Sequence, residues 1–183
     1  MFFAFFIAVG ILIGYATGGR LSNFQYVHMR FIWLVFAAAI LRLTLNYFGF
    51  VQAGIMCADI LILAFLAANI KENKVFIVAG IGFLCNVLVI AFNGFAMPVG
   101  YAVQRLPLYA KVYQMLLNGE IAGYTLATQS TKLYFLADIF YFPPYAKIGF
   151  FSVGDILLGI GGALCIVVFM KKKPAEKAGE ERL

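Results

Sequence analysis

The sequence predicts an all-α polytopic membrane protein, with five transmembrane helices and a structured outer loop between the fourth and fifth. Two observations carry that expectation: apolar residues displace charged ones throughout, and they gather in runs of membrane-crossing length. Of 183 residues, 64% are apolar, 17% aromatic and 12% charged, and the mean hydropathy is +0.95. Soluble domains hold about 45–50% apolar and about 25% charged residues, so apolar content here rises at the expense of charge. The net charge of +6 does not signal nucleic acid, because the basic residues lie between and after the apolar runs, where topology requires them.

A spanning helix needs about 20 apolar residues, with about 17 as a minimum. Five segments meet or approach this: 2–18, 31–47, 51–70, 75–92 and 148–170. Together with an outer loop over 93–147 they form a single transmembrane domain, residues 1–170, followed by a charged cytoplasmic tail, 171–183. The start of the chain lacks a basic n-region and a clear cleavage motif, so the first apolar run is expected to be retained.

The links set the orientation. Arg20 and Arg30 flank the first, Lys71 and Lys74 the third, and Lys171–Lys173 open the tail, whereas the second link, "NYFGFVQ", has no charge. The positive-inside rule then places the N-terminus outside and the C-terminus in the cytoplasm. Arg105, Lys111, Lys132 and Lys147 fall outside, fewer than the basic residues inside. Trp33 and Tyr26 suit the cytoplasmic interface.

The long outer connection opens with turn signals at Asn93-Gly94 and Met97-Pro98. Pro107 suits a first helical turn, apolar residues follow at Leu108, Tyr109, Val112, Tyr113 and Leu116, and Asn118-Gly119 supplies a stop. The pattern fits a short amphipathic helix, lying in the outer interface or packed on the bundle.

Small residues explain how the spans meet. Gly10, Gly14 and Gly18 repeat every four positions, and Ser152, Asp155, Gly159 and Gly162 share a face of the fifth span. Cys57, Cys85 and Cys165 fall in separate apolar runs, and the single histidine, His28, lies in a connection. That distribution argues against a disulfide framework or a metal site, and no cofactor motif is present.

Ionisable groups inside spans cost on the order of 2.5–3.5 kcal/mol and need a reason. Arg42 and Asp59 sit at equal sequence distance from the second link, about 12 Å below the outer surface at 1.5 Å per residue, and are expected to form a structural ion pair. Asn86 and Asn93 share a face of the fourth span. Asn93, Asp138 and Asp155 are expected to converge at the outer face, with the Pro143-Pro144 turn returning the chain towards the membrane. Asp138 and Asp155 are thus candidate catalytic carboxylates, and Asn86, Asn93 and Ser152 candidate substrate-binding groups. The competing reading is that the aspartates cap helix ends.

Three runs, "GGRLSNFQYVHMRFIWL", "NGFAMPVGYAV" and "TKLYFLADIFYFPPY" with "SVGDILLGIG", resemble an uncharacterised family of bacterial membrane proteins known as domain of unknown function 5317. The resemblance implies a bacterial source and five spans, and no activity. The stretch "ADIFYFPPYAKIGFFSVGDILLGIGGAL" is also similar in rhythm to the C-terminal part of lipoprotein signal peptidases, in which Asp155 would match the catalytic aspartate entering the last span and Asp138 the earlier aspartate of the aromatic stretch. The Gly-Asn-x-x-Asp-Arg element of those enzymes is missing here.

Three functions follow as expectations. The first is a polar outer-face site binding or transporting a small solute or amphiphile. The second is an outer-face hydrolase in which the two aspartates share a proton. The third is a structural protein binding a membrane partner. The lipid bilayer is a partner in each, and Lys171–Lys173 suit contact with anionic lipid.

Overall fold

The computed structural model describes residues 2–141 and 149–173. These form five longer helices: α1 (Phe2–Ala16), α2 (Trp33–Tyr47), α3 (Val51–Ile70), α4 (Phe76–Phe92) and α7 (Val153–Met170). By length and composition α3 and α7 are able to cross a membrane, while α1, α2 and α4 are shorter apolar helices. The expected turn at Pro143-Pro144, and residues 174–183 of the tail, lie outside the described residues.

Helix α7 is the axis of the bundle. It packs against α4 on one side and α1 on the other, α2 pairs with α3, and a smaller α3–α4 contact joins the two groups. Absent side chains make the α7 contacts possible. A Cβ on Gly82 would stand 2.6 Å from the Leu158 nitrogen, one on Gly10 2.9 Å from the Ala163 backbone, and one on Gly161 would collide with Ala79. The expected small face of α7 is therefore divided. Gly159 seats Phe6 of α1, Gly154 and Gly161 admit α4, and Gly162 faces open space. Gly18 packs against nothing; at φ +80° it stops the first helix in a backbone region that suits glycine.

One end of the bundle gathers the basic links. The Arg20 N–H and Asn23 Nδ2 both donate to the Met170 carbonyl, at 2.8 and 2.7 Å. Asn69, fully buried, accepts from the Arg30 N–H and donates to the Arg30 and Phe65 carbonyls. Arg30 and Glu72 add an exposed ion pair at 3.5 Å. Around these contacts Phe65, Leu66, Phe76 and Phe169 form an aromatic-rich cluster.

The other end carries the long loop, which has structure of its own. Strand β1 (Met97–Val99) pairs in parallel with β2 (Tyr124–Leu126), and Val99 bridges to Asp138. Between β1 and β2 run α5 (Ala102–Arg105), a 3₁₀ turn from Pro107, and α6 (Ala110–Leu117), which ends before Gly119 at φ +68°. The expected amphipathic helix exists, but its apolar face lies on the loop's own core of Val99, Val103, Tyr109 and Leu116. A second small sheet pairs β3 (Phe140–Tyr141) with β4 (Phe150–Phe151), and Phe151 stacks on Phe2 at 4.6 Å. The last helix thus begins at Val153, several residues later than the hydropathy run suggests, because β4 is extended and Ser152 caps the helix.

Candidate functional site

The N-terminus of α7 is built by Ser152 and Asp155. Ser152 Oγ accepts the Asp155 N–H at 3.0 Å while the Ser152 N–H donates to Asp155 Oδ2 at 3.1 Å, a reciprocal capping box. Asn86 of α4 closes the arrangement: its Nδ2 donates to Asp155 Oδ1 and its Oδ1 accepts from Ser152 Oγ, both at 2.8 Å. Gly154 makes room for this, since a Cβ there would collide with Asn86 Oδ1. Each polar group in the ring has a partner. Asn86 lies six residues before the end of α4, which sinks the ring about 9 Å below that end at 1.5 Å per residue.

Asp138 reaches the same place from the loop. Its N–H donates to the Pro98 carbonyl at 3.0 Å and its carbonyl accepts from the Gly100 N–H at 2.9 Å, so β1 holds it on both sides. The residue is 4% exposed, and its Oδ1 is buried without a hydrogen-bond partner. Burial, with a smaller contribution from the negative charge of Asp155, pushes its carboxyl from the ordinary 3.8 up to about 8.

Asp138 and Asp155 both line a cavity of about 160 Å³, together with Asn86, Arg42, Asp59 and Tyr124. The expected Arg42–Asp59 ion pair is not formed; among the described residues the ion pair within 4 Å is Arg30–Glu72. The reason is helix register. Gly54 of α3 sits between Leu45 and Arg42 of α2, so Asp59 lies further along α3 than the level of Arg42. Both side chains border the cavity instead.

Asn93 is elsewhere. Its Nδ2 donates to the Val89 and Lys132 carbonyls, and its Oδ1 accepts from the Lys132 N–H, which ties the end of α4 to the loop. Asn86 and Ser152 meet Asp155, and Asn86 and Asp155 meet Asp138 at the cavity, whereas Asn93 serves the loop.

Two lining residues were not singled out as site residues. Tyr124 on β2 borders the cavity and also an adjoining hollow of about 280 Å³, which Asp138 shares. Tyr109 lines that hollow, is 5% exposed, and buries a hydroxyl that has no partner. Tyr109 appears in the sequence only as one apolar position of an amphipathic helix, and nothing local marks its hydroxyl.

A family model described as a family of unknown function, DUF5317, matches residues 21–167. The chain belongs to this family. No curated protein and no solved structure matches it. The match spans α2, α3, α4, the loop and nearly all of α7, so every residue bordering the Asp138 cavity lies within the DUF5317 region.

Proposed function

We propose that this DUF5317 member is a five-span protein of the bacterial cytoplasmic membrane that binds, and moves or presents, a small solute or amphiphile at its outer face. The observation that carries the reading is the buried, unpartnered oxygen of Asp138 at the edge of a polar cavity. Leaving a buried polar group unpaired costs about 1–3 kcal/mol, a standing penalty that a ligand would relieve.

The membrane setting is supported by what the helices turn outward. Phe5, Leu12, Leu43 and Ile60 are 64%, 69%, 70% and 58% exposed, an apolar girdle of a kind that soluble monomers rarely carry. The orientation is supported by the common placement of Arg20, Arg30, Glu72 and the end of α7 at one end of the bundle, opposite the loop. In this reading residues 1–170 form one transmembrane unit, and the basic start of the tail rests on anionic lipid.

The test compares wild type with Asp138→Leu, which fills the site, in lipid nanodiscs against a panel of small amines, alcohols and amino acids. At least one compound should raise the unfolding temperature of wild type and leave the variant unmoved. If no compound acts, or if the same shift persists in Asp138→Leu, the reading fails.

A second reading, the aspartyl hydrolase, has one observation in its favour. A carboxyl protonated up to about pH 8 borders the same cavity as a second carboxylate, an acid–base division that hydrolysis uses. Against it, both oxygens of Asp155 are already engaged by Asn86 and the Ser152 N–H. Peptide cleavage lost equally in Asp138→Asn and Asp155→Asn would favour it over simple binding.

A further inference from the structure

We propose that the Asp138 cavity and the hollow beside it form one site for an organic ammonium compound, its nitrogen held between Asp138 and the Tyr109 hydroxyl and its apolar body among Val112, Leu116, Ile121 and Phe150. The proposal rests on the binding reading above and names the ligand class.

Three features point to this chemistry. Asp138 Oδ1 and the Tyr109 hydroxyl are the buried unpartnered side-chain polar atoms among the described residues, and both residues line the same hollow. Either oxygen accepts a hydrogen bond, and an ammonium group carries several donors. The charges have the right sign as well. Asp59, Asp138 and Asp155 border the cavity against a single basic residue, Arg42, so an ammonium group that takes the place of the Asp138 proton meets no excess of basic groups. Finally, the hollow beyond Asp138 is walled by Val99, Val112, Leu116, Ile121 and Phe150, with the rings of Tyr109 and Tyr124 beside them. An apolar substituent fits there, and aromatic faces favour a cation.

Binding is then an exchange. The groups facing Asp138 are Asp155 from α7, Arg42 from α2, Asp59 from α3, Tyr124 from β2 and Tyr109 from the turn before α6. Without ligand, burial keeps the proton on Asp138 at neutral pH. An arriving ammonium group pairs with the carboxylate, and the proton leaves to water. Charge balances: one cation enters as one proton departs.

The experiment uses the full chain in phosphatidylcholine nanodiscs, with empty nanodiscs as reference. Phenethylamine and its uncharged counterpart 2-phenylethanol are titrated calorimetrically at pH 6.5 and 8.5, in buffers of different ionisation enthalpy so that released protons are counted. A primary amine, like lysine with its value near 10.4, is charged at both pH values. The amine should bind at least tenfold more tightly than the alcohol. With a carboxyl titrating near 8, its affinity should rise roughly 25-fold from pH 6.5 to 8.5, with close to one proton released at the lower pH. Asp138→Asn should abolish both effects, and Tyr109→Phe should weaken the amine several-fold without changing the proton count. Equal binding of alcohol and amine, both lost in Asp138→Asn, would overturn the ammonium class and leave the binding reading standing. Amine binding that ignores pH or survives Asp138→Asn would overturn the proposal at its site. Failure of the amine to bind at millimolar concentration would remove the proposal, and the wider panel would then decide the binding reading separately.

Discussion

Replacing Asp138 by asparagine should stabilise the protein, and increasingly so as the pH rises. The folded chain keeps the Asp138 proton to about pH 8, whereas an exposed aspartate loses it near 3.8. Below 3.8 both states are protonated and the group is neutral in its effect. Between the two values the unfolded state binds fewer protons than the folded one, so stability falls with pH, by about 1.4 kcal/mol per unit, and levels off above 8. At pH 7 the accumulated penalty is about 4 kcal/mol, and between pH 5 and 8 it changes by about 4 kcal/mol. Asparagine has nearly the same shape and no proton to hold, so the variant escapes that slope. At pH 8 the penalty is about 5 kcal/mol, so on the scale of 2–4 °C per kcal/mol for a chain of this size, thermal unfolding in nanodiscs should occur about 10–20 °C higher in Asp138→Asn than in wild type, and the gap should shrink towards a few degrees at pH 5. A gain that is the same at both pH values, or a loss at pH 8, would refute the claim that Asp138 is held protonated by burial. A stabilising loss of a buried acid is also what a binding site predicts, because a group kept at a cost is kept for use.

Other expectations follow from the same contacts. Ser152→Ala removes the cap of α7 and leaves Asn86 Oδ1 without its donor, so chemical unfolding should show a loss of about 1–2 kcal/mol. Gly154→Ala forces a methyl group against Asn86 and should cost about 1–3 kcal/mol, with partial relief in Gly154→Ala/Asn86→Ala, read by the same unfolding assay. Because Arg42 and Asp59 border a cavity without an ion pair, a double-mutant cycle with Arg42→Gln and Asp59→Asn should return a coupling below about 1 kcal/mol; a value of 3 or more would restore direct pairing. Cysteines introduced at Ser130 and at Glu72 should label from opposite sides of the membrane with an impermeant maleimide, Ser130 from the outside.

The architecture was legible where the signal is local. Apolar runs marked the longer helices, the uncharged Gly49 turn separated α2 from α3, and Asn118-Gly119 ended α6. Ser152-x-x-Asp155 is a three-residue spacing, so the capping reading of Asp155 needs no knowledge of the rest of the chain. Signals that depend on distant chain were less legible. β1 and β2 pair residues 27 apart in sequence, Val99 with Leu126, and are too short to announce themselves by alternation, yet their pairing, with the bridge from Val99 to Asp138, is what carries Asp138 inward. Arg42 and Asp59 show the same limit inside the helices. Equal distance from a turn suggests equal depth, but the seating of Gly54 between Leu45 and Arg42 shifts the register away from that symmetry.

The two aspartates differ for this reason. Asp155 belongs to its own helix, and its oxygens are satisfied within three residues and by one neighbour, Asn86. Asp138 belongs to the loop, and β1 holds its backbone while leaving its carboxyl with an unpartnered oxygen. A structural carboxylate is expected to be fully bonded, because each unmet bond in the interior costs stability. A carboxylate held rigidly by its backbone and left open at its tip meets the opposite requirement, that of a group waiting for a partner. The loop core of Val99, Val103, Tyr109 and Leu116 supplies the rigidity, and the same Tyr109 contributes the second open oxygen. Loosening that core should therefore damage binding before it damages the helical bundle. Val103→Ala, at a fully buried position that lines neither cavity, is expected to lose ligand affinity while α4 and α7 keep their packing, as hydrogen exchange resolved by segment would report. If Val103→Ala left affinity unchanged while the loop opened, the position of Asp138 would not depend on the loop core.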